Sequence, residues 1–290
     1  MKIAITMDGN SGLTRDEAQR LGATIISTPV LIDGDIFLED ITLTQEQFYE
    51  RLTSDAQVST SQPSPAALAE AWDKLLEDYD EIVYIPISSG LAGAYDTAYQ
   101  LANRELRFKG KVYVVDNQRV SITQKQSVID ALNMAKDGKS AKEIHEWLTA
   151  TKMKSSIYIT VGTLKYLKKG GRLTPAVAAI GTLLKIKPVL QIQGFKLDQY
   201  AKVRKMSDAK STMINALKND FQTRFKDEVA AGKMTVAIAH TQCSEEAEKF
   251  KTELTAQFPD IEFTYLDPLS LSVACHIGPG ALACGCVIKY

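Results

Sequence analysis

The 290-residue chain has no run of about 18 consecutive apolar residues, the length that a membrane-crossing helix needs, so no transmembrane segment is expected. It also lacks an excess of charge of one sign. Its 34 Lys+Arg face 35 Asp+Glu, which leaves no global field to draw in nucleic acid or an anionic membrane. Nucleic acid is therefore not expected as a partner, while transient membrane contact through a local patch stays open. The four cysteines are too few to frame a disulfide-stapled fold of this length. The apolar start is cut by Asp8 and Gly9, well short of the ~7–15-residue apolar stretch of a secretory signal, and a cytoplasmic location is expected. Absent too are Gly-x-x-x-x-Gly-Lys-Ser/Thr, which cradles nucleotide phosphates, and Gly-x-Ser-x-Gly, which presents a hydrolase nucleophile.

What is present is 45% hydrophobic residues, enough for a substantial core, over a length that suggests two domains. In the first half, short β-rich runs at 3–6, 23–27, 82–87 and 111–115 alternate with helical patterns at 65–78, 94–104, 122–136 and up to about 150. Capping boxes at Thr14/Glu17, Thr44/Gln47 and Ser140/Glu143 mark helix starts, and Asp33-Gly34 marks a hairpin. This alternation predicts a three-layer α/β/α domain with a parallel sheet over residues 1–153. The pattern breaks at 152–155, and residues 154–290 read as a mixed α/β domain. There the expectations are strands at 157–161, 234–240, 262–266 and 281–288, with a hairpin of 186–193 and 195–203 around Gly194. Helices are expected at 163–168, from Thr174-Pro175, as one run over 208–231, and at 245–257.

Two polar turns carry the functional signal. After the apolar run ending at Ile87 come Ser88-Ser89-Gly90-Leu91-Ala92-Gly93-Ala94, a strand end feeding a helix N-terminus. The first N–H groups of a helix lack internal partners and carry partial positive charge, so an anionic or strongly polar head group is the natural occupant. Upstream, Thr60-Ser61-Gln62-Pro63-Ser64 precedes a helix whose first residue is Pro65, with Ser64 placed to cap it. Each turn alone reads equally well as a helix cap without a ligand. Cys284-Gly285-Cys286 lacks the Cys-x-x-Cys spacing of a metal or redox site and places both thiols on one strand face, so Cys275, Cys284 and Cys286 are expected to fill the core. His145 and His240 read as structural, and no metal or cofactor is expected.

Read in order, the motifs resemble those of the DegV family. They are Val58-Ser59-Thr60-Ser61-Gln62-Pro63-Ser64, Ile87-Ser88-Ser89-Gly90-Leu91-Ala92-Gly93-Ala94-Tyr95, Leu164-Lys165-Tyr166-Leu167-Lys168-Lys169-Gly170-Gly171-Arg172, Ile186-Lys187-Pro188 and His276-Ile277-Gly278-Pro279-Gly280-Ala281. The resemblance implies a two-domain fatty-acid-binding carrier that presents the acyl carboxylate to a separate fatty acid kinase. It places the carboxylate against Thr60 and the position of Ala92, with Ser61, Ser88, Ser89 and the backbone at Gly93 as candidate substitutes for the hydroxyls missing there; it implies Arg172 facing the interdomain region, and Arg204 and His276 near the carboxylate end, where the partner would dock. Ala92 and Ala94 stand where relatives usually show hydroxyls. The competing reading is an enzyme, a small-molecule phosphotransferase or a serine hydrolase that uses Ser88 or Ser89 on acyl substrates.

Overall fold

The computed structural model describes residues 1–178 and 186–290, which divide into two compact units. One contains Met1–Met153, Ser270–Ser272 and Tyr290, the other Lys154–Leu269 and Val273–Lys289.

The elements of the first unit are β1 (Ile3–Asp8), α1 (Arg15–Leu21), β2 (Ala23–Ile26), β3 (Val30–Ile32), β4 (Asp35–Phe37), α2 (Gln45–Thr53), β5 (Val58–Thr60), α3 (Pro65–Leu75), β6 (Glu81–Ile85), α4 (Ala94–Arg104), β7 (Val112–Val114), α5 (Ser121–Lys136) and α6 (Ala141–Ala150). Parallel pairing gives a sheet in the order β2-β1-β6-β7. Alternation along the strands sends Ile5, Met7, Val83 and Ile85 to the side covered by α5 and α6. On the other side Ala4, Ile82 and Tyr84 meet Leu68 and Trp72 of α3 and Ala98 and Ala102 of α4. Trp72 sits edge-on to Tyr84 and Phe108, with ring centroids 5.8 and 5.3 Å apart, and fills the middle of that layer. Both faces are covered, as the alternating pattern predicts.

All three capping boxes form, at Thr14, Thr44 and Ser140, because each needs only side chains three residues apart. The hairpin at Asp33-Gly34 forms β3 and β4, with φ of 52° and 97° at its two tip residues. Thr60, read from sequence as the first residue of the polar turn, is the last residue of strand β5, which pairs with β3 to complete a small antiparallel sheet β4-β3-β5.

The second unit is built around β8 (Ser155–Thr160), α7 (Lys165–Lys169), α8 (Pro175–Ala178), β9 (Lys187–Ile192), β10 (Leu197–Val203), α9 (Met206–Gln222), α10 (Lys226–Ala230), β11 (Met234–His240), α11 (Ser244–Gln257) and β12 (Glu262–Pro268), followed by α12 (Leu271–Ile277) and β13 (Leu282–Ile288). Its mixed sheet runs β10-β9-β8-β13-β11-β12, parallel at β11–β12 and antiparallel at the other pairings. The helix expected over 208–231 is two helices. Arg224 Nη1 donates to Ser156 Oγ at 2.7 Å and to Asp220 Oδ1 at 3.3 Å, while the Phe225 N–H returns to the Asp220 carbonyl, so the chain turns between α9 and α10. Helix α12 had no counterpart in the sequence reading. The helix expected from Thr174-Pro175 is present as α8, and residues 179–185 lie outside the described residues. Cys284 and Cys286 are free, fully buried and two residues apart on β13, so they share a face.

Candidate functional site

Strand order reverses between β1 and β6, with β2 beyond one and β7 beyond the other. In parallel sheets the crevice at the carboxyl ends of such a pair is the habitual ligand position. Asp8, fully buried at the end of β1, accepts from Ile87 N–H at 2.8 Å, Asn10 N–H at 3.1 Å and Gln124 Nε2 at 3.0 Å. Burial raises its pKa against the pull of these bonds. The carboxylate thereby ties the loop after β6 to the end of β1.

Within that loop the two serines differ. Ser88 is fully buried. Its N–H donates to the Arg119 carbonyl at 2.9 Å, its Oγ accepts from Gly90 N–H at 3.3 Å, and its carbonyl accepts from the N–H groups of Leu91 and Ala92. It shapes the turn. Ser89 is partly exposed, and its Oγ donates to Asp116 Oδ1 at 3.0 Å. The other oxygen of Asp116 accepts from Lys152 Nζ at 3.0 Å and Gln118 Nε2 at 3.2 Å.

Helix α4 starts at Gly93, which has no side chain with which to cap it, whereas α1, α2, α3 and α6 each begin with a hydroxyl that accepts a backbone N–H. The α4 N-terminus therefore keeps its electropositive first turn unmasked by a cap. The upstream polar turn adjoins it: Gln62 Nε2 donates to Thr97 Oγ1 at 2.6 Å, and a Cβ built on Gly93 would lie 2.8 Å from Gln62 Oε1. Thr60 and Ser61 at the end of β5, and Ala92 and Gly93 before α4, are thus brought into one neighbourhood of the first unit. A side chain at 93 would displace the end of Gln62 from this close approach.

In the second unit, α7 and the glycine after it pack against the end of α12 and the turn that follows. A Cβ on Gly170 would lie 2.0 Å from His276 Nδ1, and one on Gly278 would lie 2.1 Å from the Tyr166 ring. Arg172 Nη1 donates to the Gly170 carbonyl at 2.7 Å, and burial, with the Arg172 charge adding to it, lowers the His276 pKa to about 4. His276 is therefore a neutral imidazole at pH 7. Thr241 braces the following turn, its Oγ donating to the Gly278 carbonyl at 2.7 Å and accepting from Ala281 N–H at 2.8 Å. Arg172 and His276 are neighbours, while Arg204 is exposed immediately after β10. His145 Nε2 lies 3.1 Å from the Val114 carbonyl, and His240 is buried at the end of β11.

Sequence reading did not single out Gln62, Asp116, Lys152 or Asp8. Asp8 and Asp116 stand at strand ends, the same signal that pointed to Ser88. The partners of Gln62 and Lys152 lie 35 and 36 residues away, with no local mark.

Residues 2–289 match the model described as "Uncharacterised protein, DegV family". The chain belongs to the DegV family. A DegV domain-containing protein of Clostridium perfringens is 31% identical over 288 residues, covering 97% of this chain and 96% of the relative. Among solved structures, a DegV family protein from Thermus thermophilus described as binding fatty acid superposes with a TM-score of 0.89 at 26% identity, covering 99% of this chain and 100% of that one. The fatty-acid-binding DegV family protein of Streptococcus agalactiae gives 0.86 at 27% identity, with 100% of both chains covered. The DegV fold accounts for the parallel sheet and the separate mixed sheet described above. Among the described residues of this DegV chain, no helix is long and apolar enough to cross a membrane, and no cluster of three His, Cys, Asp or Glu side chains could hold a metal.

Proposed function

We propose that the chain is a cytoplasmic carrier for a long-chain fatty acid, with the head group at the Thr60–Gln62 turn and the uncapped start of α4, and the tail in the core of the first unit. The observation that carries this reading is the bridge from Gln62 to Gly93 and Thr97, which sets two polar helix starts side by side. Thr60 and Ser61 supply hydroxyls, and the first turn of α4 supplies backbone N–H groups. Burying about fifteen methylenes at ~0.8 kcal/mol each contributes on the order of 10 kcal/mol before the costs of ordering, so the tail supplies affinity and the turns supply orientation. Fatty acid binding in the Thermus and Streptococcus proteins supports the ligand class.

Residues 1–153 act as the lipid-binding domain in this reading. Residues 154–290 contribute the cations Arg172 and Arg204 and the neutral His276, suited to a partner kinase that phosphorylates the acyl carboxylate. The carrier itself performs no chemistry. The hydrolase alternative is weakened by Ser89, whose proton goes to a carboxylate rather than an imidazole.

Protein expressed in a bacterial host should copurify with fatty acid detected by solvent extraction and gas chromatography. A protein that stays empty after incubation with palmitate rejects the carrier reading. Thr60→Ala should weaken palmitate binding by about tenfold or more, the worth of one hydrogen bond to a charged group, without unfolding the protein. Unchanged affinity removes Thr60 from the site.

A further inference from the structure

Three buried oxygens beneath the strand ends of the first unit have no hydrogen-bond partner among the described residues. They are Asn117 Oδ1, Ser121 Oγ and Gln124 Oε1, each on a residue 4% exposed or less. All three belong to the short stretch from the loop after β7 to the first turn of α5. The amide orientations are fixed by what the nitrogens do. Gln124 Nε2 donates to Asp8 Oδ1 at 3.0 Å and to the Ile85 carbonyl at 2.9 Å, so turning the amide over would set its oxygen against a carboxylate and a carbonyl. Asn117 Nδ2 is held in the same way by the Pro86 carbonyl at 2.5 Å. What both amide oxygens lack is therefore a donor. The nearby N–H groups are committed elsewhere, those of Ile87 and Asn10 to Asp8 and that of Ser121 to the Asn10 carbonyl at 2.8 Å.

We infer that this junction is a binding site for internal water, with one molecule bridging Ser121 Oγ and Gln124 Oε1 and another donating to Asn117 Oδ1. Water fits in donor count and in reach. Ser121 and Gln124 are three residues apart on α5, and side chains so spaced are about 5–6 Å apart, a gap one water spans with two bonds of about 2.8 Å. Helix α5 is entered through Val120, whose side chain has no atom with which to cap it, so first-turn N–H groups are at hand for the water's own oxygen. A hard cation such as calcium takes about six to eight oxygens. Here the carbonyls of Ile85, Pro86, Asn10 and Val120 are each already drawn to a donor, namely Gln124 Nε2, Asn117 Nδ2, Ser121 N–H and Thr123 Oγ1. An anion is disfavoured by the buried Asp8 carboxyl that Gln124 holds. The water joins the start of α5 to the loop after β7, whose Arg119 carbonyl in turn accepts from Ser88 N–H at 2.9 Å.

The test is made on the full chain in two ways. Crystals grown with rubidium chloride as the only salt should show density about 2.8 Å from both Ser121 Oγ and Gln124 Oε1, and again at that distance from Asn117 Oδ1, with no anomalous signal at the rubidium edge. In solution, the side-chain amide protons of Gln124 and Asn117 should give cross-peaks to water whose NOE and ROE have opposite signs, the mark of water held for as long as the molecule tumbles. Simple proton exchange with bulk water gives equal signs. Ser121→Gly takes up the φ of 52° without strain, so it should fold with an undiminished melting temperature and lower the Gln124 cross-peak by about twofold or more while sparing that of Asn117. A rubidium signal at these oxygens assigns the site to a cation and overturns the inference. Crystals without density there, cross-peaks of equal sign, or a Gln124 cross-peak unchanged in Ser121→Gly overturn it as well.

Discussion

Single atoms decide where the second unit tolerates change. Gly170 has an ordinary φ of −81°, so alanine there is unstrained in its backbone, yet its Cβ would collide with the His276 ring. Gly171 is the reverse, with φ of 68° and nothing within 4 Å of the added carbon. Gly170→Ala should therefore destabilise by about 1–3 kcal/mol through overpacking. Gly171→Ala should cost about 1 kcal/mol through left-handed backbone strain. Urea denaturation of both variants separates the two, and the Gly170 variant alone should also release His276 from its low pKa, read by following its ring proton shifts with pH. The clash at Gly170 cannot be read in Gly-Gly-Arg as letters, because it comes from His276, more than a hundred positions away.

At the scale of elements, what was legible was local. Capping boxes, the Asp-Gly hairpin and strand-end serines depend on side chains a few positions apart, and they appear where the spelling puts them. The break between α9 and α10 was not legible, since no glycine or proline marks it. It is made by Arg224 reaching Ser156 on β8, 68 residues away. Helix α12 was missed because Leu271-Ser-Val-Ala-Cys-His-Ile is a single short amphipathic piece between a proline and a glycine turn. The Thr60 turn was recognised, but its attachment to α4 through Gln62 was not. That attachment gives a test that parts stability from binding. Ser64→Ala removes the cap of α3 and should cost about 1 kcal/mol in thermal unfolding. Gln62→Ala, which loses one partly exposed hydrogen bond, should cost less than about 1 kcal/mol yet weaken palmitate binding severalfold by letting the two turns part.

For the molecule as a whole, Glu39 sets a pH dependence. Its Oε2 accepts from Leu271 N–H at 2.9 Å, and burial pushes its pKa up to about 8, against the favourable charge of Arg15. The folded chain keeps this carboxyl protonated at pH 7, while the unfolded chain releases the proton above an ordinary value of 4.5. Its contribution to stability is fully present below about pH 4.5 and is lost as pH rises towards 8, on the order of a few kcal/mol. His276, held down near 4, acts in the opposite sense and takes away stability as pH falls below 6.5. Glu39→Gln should therefore match the wild type near pH 4 and exceed it in urea denaturation at pH 8. A difference curve flat from pH 4 to 8 would show that Glu39 ionises normally. The division into a parallel-sheet half and a mixed-sheet half was legible because strand–helix alternation is written along the chain. The return of Ser270–Ser272 and Tyr290 to the first unit was not, since nothing in Ser270-Leu271-Ser272 names its partners.

That return has a consequence for the order in which the protein is made. Ser272 Oγ donates to Asn10 Oδ1 at 2.8 Å, and Leu271 N–H reaches Glu39, so the first unit lacks these bonds until some 270 residues have been synthesised. A ribosome that has released residues 1–153 has released an unfinished unit. Its assembly is completed by the chain's final stretch rather than by its own contiguous sequence.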